Sequence, residues 1–397
     1  MTEDALYPIL EDAGHREHEE EQVKTEYPDY SNSIVNLACS VLKYYGIKDI
    51  KHPTLSDVDA VLEKIKPRNV VIMLFDAMGI SIIDRHLPKD SFLRSKIVRS
   101  ITSTFPPTTV AATTAINSGL TPLETGWLGW ITYFKEVDQN VVTFFNTVQN
   151  TKTPASDRHL AYTTLPYKTV SMQIREANPQ TKVTAMAPFP VNVTDPTVIT
   201  KSIADACERV LDVTNEPGSH YIYCYWDNPD YSMHEYGVDD TEHITPILQD
   251  IDSNLRRLSQ SISDDTVVIV TADHSQINSK WVFLSDYPDL KDLLVRNHSM
   301  ETRAASLVVK EGKKEEFRKL FEKYLGKHFI LMDHDQFLSS GLLGTGVPHP
   351  RTESFVGDFV AIATDEYCIE DYRTDDVLKG IHAGLTAEEM DVPLIIL

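Results

Sequence analysis

Cysteine is scarce in this chain and poorly spaced for pairing. Cys39, Cys207, Cys224 and Cys368 lie far apart, with no Cys-x-x-Cys pair, so they read as reduced core residues and not as a disulfide framework. Long apolar runs are missing too: no stretch approaches the ~20 residues that cross a bilayer. Positive charge is short, with 37 Lys and Arg against 59 Asp and Glu, a formal net charge of -22. That balance argues against a basic nucleic-acid surface and against attraction to anionic membranes. It is compatible with an enzyme that gathers carboxylates around metal ions. The N-terminus, Met1-Thr2-Glu3-Asp4, is acidic and lacks the basic-then-apolar pattern of a signal peptide. A cytoplasmic enzyme is the resulting expectation, and in that compartment the sequon Asn192-Val193-Thr194 carries no weight.

What the chain does contain is alternation of buried-strand and helix patterns. With 397 residues, one large α/β domain or two domains are expected. Residues 1–30, rich in Glu and His, read as a mobile or peripheral acidic arm. Helical periodicity follows from Ile34 to Leu42, ended by Gly46, and again from Ser56 to Lys66. Asn69-Val-Val-Ile-Met-Leu-Phe75 is a continuous apolar run of strand length, as for a parallel strand buried on both faces. Val183–Met186, Tyr221–Tyr225 and Thr266–Thr271 repeat that texture, with helical stretches Val170–Ala177, Ile203–Leu211 and Ile244–Ile262 between them. This order predicts a mostly parallel central sheet with helices on both faces. From 281 to 349 the texture changes to short strands and charged helices, which reads as an inserted α+β subdomain. Residues 31–280 and 350–397 then form the catalytic core. The subdomain, with Glu301, Arg303 and His349, either roofs the site or only extends the fold.

Three strand ends carry candidate metal ligands: Asp76, then Asp230-x-x-x-His234, then Asp273-His274. In α/β sheets ligands bind beyond the carboxyl ends of strands. Each motif alone is ordinary, since an Asp after a strand usually serves a turn or helix cap. Three together at one sheet edge are not, and clustered carboxylates cannot all ionise without counter-charge, which divalent metals supply. His382 stands among small residues that leave room for close approach. The stretch Ser103–Gly119 enters on Pro106-Pro107 and continues through Thr108 and Thr109 into an Ala-rich run that should form a helix ending at Gly119. A threonine hydroxyl at that helix mouth is either an N-cap or a group placed where anions bind.

Phe-Asp76-Ala-Met-Gly, Phe-Pro-Pro-Thr-Thr109, Asp230-x-x-x-His234, Thr-Ala-Asp273-His274 and His382-Ala-Gly occur in order across residues 70–385. In this the chain resembles the alkaline phosphatase superfamily, and within it the type I phosphodiesterase/nucleotide pyrophosphatase branch. The resemblance implies an alkaline-phosphatase-like fold and a two-metal site. Asp230, His234 and His382 would hold one ion, Asp76, Asp273 and His274 the other, with Thr109 touching both. It also implies a phosphothreonine intermediate on Thr109, with Thr104 and Thr108 as rivals. Mixed His and carboxylate ligation suits Zn²⁺, with Mn²⁺ or Fe as alternatives. The expected substrate is a small phosphate ester or nucleotide. A phosphomonoesterase, a phosphonate hydrolase of the same superfamily, and a non-catalytic metal-binding domain are the competing readings. The sulfatase signature is absent, no Arg follows Thr109 in its helix, and Thr125–Tyr133 lacks the Asn that the branch uses on a phosphoryl oxygen. Trp127, Trp130 and Tyr133 stand there instead, either as core or as a stacking surface.

Overall fold

The computed structural model describes residues 24–190 and 196–397. Most of the acidic arm expected at 1–30 and the Asn192 sequon lie outside the described residues. The Asn69–Phe75 strand is buried at all seven positions. Ser219–Trp226 and Thr266–Thr271 flank it, both parallel to it and starting in register, Asn69 opposite His220 and Thr266. The sheet order is Ile97–Thr102, Asp391–Ile396, Thr266–Thr271, Asn69–Phe75, Ser219–Trp226, Thr181–Ala187, Thr197–Ile199. Asp391–Ile396 runs antiparallel to both of its neighbours. It tolerates Pro393 because that residue pairs only with Ser100, while pairing to Thr266–Thr271 starts at Ile395 after a register shift. Helices Ile34–Tyr44, Ile203–Asn215 and Ile244–Ser261 feed apolar stripes into one core with this sheet.

A second sheet is antiparallel. It runs Phe329–Asp333, Phe359–Ala363, Ala304–Leu307, Ser299–Met300, Ile131–Phe134, Gln139–Val142, Thr147–Val148. This sheet crosses both boundaries expected at 281 and 349, since it takes strands from 131–148 and 359–363. Those strands are short, and a run such as Ile131-Thr-Tyr-Phe134 is too brief for its alternation to stand out. One core about this sheet gathers Trp127, Phe134, Phe337 and Val360. Another takes Phe317, Phe321 and Leu325 from helix Lys314–Leu325.

Candidate active site

Helix Thr109–Ser118 ends at Gly119, whose φ of 74° is the left-handed geometry that glycine takes without penalty. Thr108 is the extended residue at its N-terminus, yet the Thr108 hydroxyl makes no capping bond and donates instead to Glu301 Oε1 at 2.6 Å. The first helical amide bond is Ala112 N–H to Thr108 O, at 2.9 Å. The amides of Thr109, Val110 and Ala111 therefore have no partner within the helix, and the mouth favours an anion. Thr109 Oγ1 lies 3.2 Å from His274 Nε2. Thr104 is fully buried, with its hydroxyl directed 3.5 Å away to the Pro106 carbonyl.

The three central strands are adjacent and parallel, so their C-terminal ends come out side by side at this mouth. Backbone bonds fix the junction: Asp76 N–H donates to Trp226 O at 2.9 Å and Asp230 N–H to Asp76 O at 3.1 Å. Ala77, at φ 56°, donates its amide to Asp273 Oδ1 at 3.2 Å. His274 Nε2 is 3.4 Å from Asp76 Oδ1 and 3.6 Å from Asp273 Oδ2. His234 Nε2 is 3.1 Å from Asp230 Oδ2, and His382 Nε2 is 3.8 Å from Asp230 Oδ1. The Nδ1 atoms of His234, His274 and His382 face the carbonyls of Gly380, Ser275 and Pro107 at 2.8, 3.1 and 3.1 Å. An Nδ1–H donated to a carbonyl leaves Nε2 as an inward lone pair, the tautomer a metal ligand needs.

Asp76 Oδ1 and Asp273 Oδ2 are buried without any hydrogen-bond partner among the described residues. An orphaned buried acceptor costs about 1–3 kcal/mol, more when charged. Orphaned carboxylate oxygens facing imidazole lone pairs are the donor set of a divalent cation, so these residues fit the metal site. Asp76, Asp273 and His274 each offer an atom within 4.8 Å of the others, and so do Asp230, His274 and His382. His234 stands outside that second group, on Asp230 Oδ2, and His274 is the member common to both. The resemblance instead divides the ligands so that His234 joins Asp230 and His382.

Charge at the site is unevenly distributed. Burial, reinforced by Asp273 and Asp230, holds the Asp76 carboxyl well above its ordinary range. Burial also raises Asp273, against the pull of His274. Burial pushes Asp230 the same way but is outweighed by its contact with His234, which holds this carboxyl below its ordinary range. Burial and the neighbouring His274 hold His382 well below an ordinary histidine, hence neutral.

A sequence profile of the type I phosphodiesterase/nucleotide pyrophosphatase family matches residues 70–386. The chain belongs to that family. It is a phosphoric ester hydrolase of the phosphodiesterase/pyrophosphatase type. Among solved structures it is similar to human ectonucleotide pyrophosphatase/phosphodiesterase 5, with a TM-score of 0.62 and 17% identity over 82% of this chain and 87% of that one. The murine counterpart gives 0.61 at 17% identity over the same shares, and one of its structures is an inactive threonine-to-alanine variant in complex with AMP. Phosphonoacetate hydrolase from Sinorhizobium meliloti, in complex with phosphonoacetate, gives 0.61 at 14% identity over 83% of this chain and 90% of that one. A search of curated protein sequences found no match. These neighbours share the alkaline-phosphatase-like fold. Among the described residues no helix is long and apolar enough to cross a membrane.

Other expected residues of this phosphodiesterase-family chain fall away from the strand ends. Trp127 is fully buried, its Nε1 donating to Leu165 O at 2.9 Å among Phe144, Tyr162 and Tyr167, so it belongs to the core. Trp130 is 37% exposed and its ring meets Phe145 edge-on. Tyr133 packs under Arg296, 3.7 Å above its ring. His349 accepts from the Arg351 amide, and Arg303 is committed to Glu389. A third acidic group, His298, Glu370 and Asp371, carries its own counter-charge, because Lys291 and His298 both bond Asp371. Sequence reasoning missed Tyr225, whose hydroxyl donates to Asp76 Oδ2, and Gln276, whose amide donates to Asp230 Oδ1. Both were findable by position: Tyr225 is the penultimate residue of a core strand, and Gln276 follows His274 by two residues.

Proposed function

We propose that this enzyme is a two-metal phosphodiesterase or nucleotide pyrophosphatase that uses Thr109 as its nucleophile. The observation that carries the reading is the Thr109 hydroxyl at a helix mouth, 3.2 Å from His274 Nε2, with the orphaned Asp76 and Asp273 oxygens on that same imidazole nitrogen. Asp76, Asp273 and His274 would hold one ion and Asp230, His234 and His382 the other, most suitably Zn²⁺, with Mn²⁺ or Fe as substitutes. When bound, the two cations supply the positive field that favours a threonine alkoxide and balances charge on the leaving oxygen.

The chain's own groups do the rest. Thr109 Oγ attacks phosphorus in line, the P–O bond to the leaving group breaks, and a phosphothreonine forms. The open amides of the first helical turn donate to the phosphoryl oxygens as charge develops there. Water then cleaves the phosphothreonine and restores the hydroxyl. Neither an Arg in the helix nor an Asn in Thr125–Tyr133 adds to that cradle, which suits a monoanionic diester better than a dianionic monoester. The inactive threonine-to-alanine variant of the murine relative and its AMP complex support the nucleophile and the nucleotide substrate. Four free, buried cysteines agree with a reducing cytoplasm.

The test is hydrolysis of a chromogenic phosphodiester beside the matching monoester and a phosphonocarboxylate, with and without chelator. Cleavage led by the diester and abolished by chelation is expected. A chelator-insensitive rate, or no cleavage of any of the three with Zn²⁺ or Mn²⁺ restored, overturns the proposal.

A further inference from the structure

Glu301 takes no part in the chemistry above, yet it is only 8% exposed and bonds the residue next to Thr109. Its Oε1 accepts two hydrogen bonds, from the Thr108 hydroxyl and the Trp130 amide, each at 2.6 Å. Burial pushes this carboxyl up to about 7. The backbone around it is held from several sides. Met300 has φ 68°, a left-handed conformation that non-glycine residues rarely adopt. Gly129 passes so close that a Cβ there would meet the Met300 carbonyl oxygen at 2.8 Å, so only glycine brings the Trp130 amide onto Glu301. The Thr143 hydroxyl binds the Gly129 and Trp130 carbonyls at 2.7 and 3.0 Å. Two residues beyond Glu301, the fully buried Arg303 grips Glu389 with two bonds of 2.7 Å. Glu301 is fixed, and the Thr108 hydroxyl comes to it.

The consequence lies in what Thr108 does not do. A threonine at a helix N-terminus ordinarily turns its oxygen back onto the second or third helical amide, which stabilises the helix by about 1 kcal/mol. That bond would consume an amide of the phosphoryl cradle. Here the hydroxyl is drawn away, and the cap bond is absent. We propose that Glu301 is a positioning residue that withholds the helix's own cap: by engaging the Thr108 hydroxyl it keeps the first-turn amides open for the phosphoryl group. This rests on the reading of Thr109 as nucleophile.

The experiment compares Glu301→Ala, Glu301→Gln, Thr108→Val and the Glu301→Ala/Thr108→Val pair against wild type and Thr109→Ala. The readouts are kcat and KM on a chromogenic phosphodiester, bound metal and thermal midpoint. Losing one oxyanion donor costs about 100-fold in rate, so Glu301→Ala should lose about that factor with both metals retained. Glu301→Gln keeps an acceptor oxygen and should stay within about threefold, as should Thr108→Val, which has no hydroxyl to cap with. The decisive result is rescue: Thr108→Val, added to Glu301→Ala, should restore at least about tenfold, because the released hydroxyl is then gone. A merely structural role for Glu301 predicts no rescue. Wild-type rates in Glu301→Ala beside a dead Thr109→Ala, or a pair no better than Glu301→Ala alone, overturn the proposal. Should Glu301→Ala fail to fold, a 100-fold loss in Thr108→Val alone does the same. Full activity in Thr109→Ala would instead sink the nucleophile reading itself.

Discussion

Stripping metal from this protein should lower its thermal stability, and by more as pH rises. The site holds three carboxylates, Asp76, Asp230 and Asp273, and two of their oxygens are buried without a donor. A ligand that binds only the folded state at 100 times its Kd stabilises by about 2.7 kcal/mol, so two ions give about 5 kcal/mol. Unfolding entropy of about 2.1 cal/mol/K per residue near 60 °C makes about 0.8 kcal/mol/K for a chain of this length unfolding as one unit, and hence a shift of about 6 °C. The sign with pH follows from Asp76. Its folded-state value is raised by burial and by its two neighbours, so its contribution is fully present below the ordinary aspartate range and is lost as pH rises through the raised value. Metal binding releases that proton, so the gap between loaded and stripped protein should widen from an acidic to a neutral pH. Thermal melts of chelator-treated and zinc-restored protein at both pH values measure it. Asp76→Asn gives an internal control: stripped, it should melt no lower than stripped wild type, since it has no buried carboxyl to ionise as pH rises, and zinc should raise it less. Identical melts with and without metal, or a stripped Asp76→Asn clearly less stable than stripped wild type, would refute the reasoning.

Two further outcomes follow from single contacts. His382→Ala should lower the affinity for one of two ions and leave the other, read by metal analysis after dialysis, because Asp76, Asp273 and His274 form their own group. Arg303→Met should destabilise by about 3–5 kcal/mol, seen in denaturant or thermal unfolding, because it leaves Glu389 buried and unpaired.

The clustering of Asp76, Asp230 and Asp273-His274 was legible because sheet topology does the gathering. Parallel neighbouring strands must end side by side, so Asp76, Asp230 and Asp273-His274, each just past an apolar run, could be placed together without coordinates. The helix from Thr109 to Gly119 was legible from its prolines, its alanines and its glycine stop. The antiparallel sheet was not, because its strands run two to five residues and its pairings join distant segments, as Met300 does Ile131. Glu301 bonding Thr108 spans 193 positions, and such a contact leaves no period or motif in the sequence. The orientation of Thr108 away from its own helix was hidden for the same reason. An N-cap threonine and one held by a distant carboxyl are spelled alike.

The measurement closest to the central claim is acid quench during steady turnover of a chromogenic phosphodiester, then mass spectrometry of the peptide spanning Ser103–Gly119. The account predicts the retained phosphoryl group on Thr109, and a Thr109→Ala protein that binds both metals but neither turns over nor labels. A label on Thr104 or Thr108, or wild-type turnover by Thr109→Ala, would contradict it.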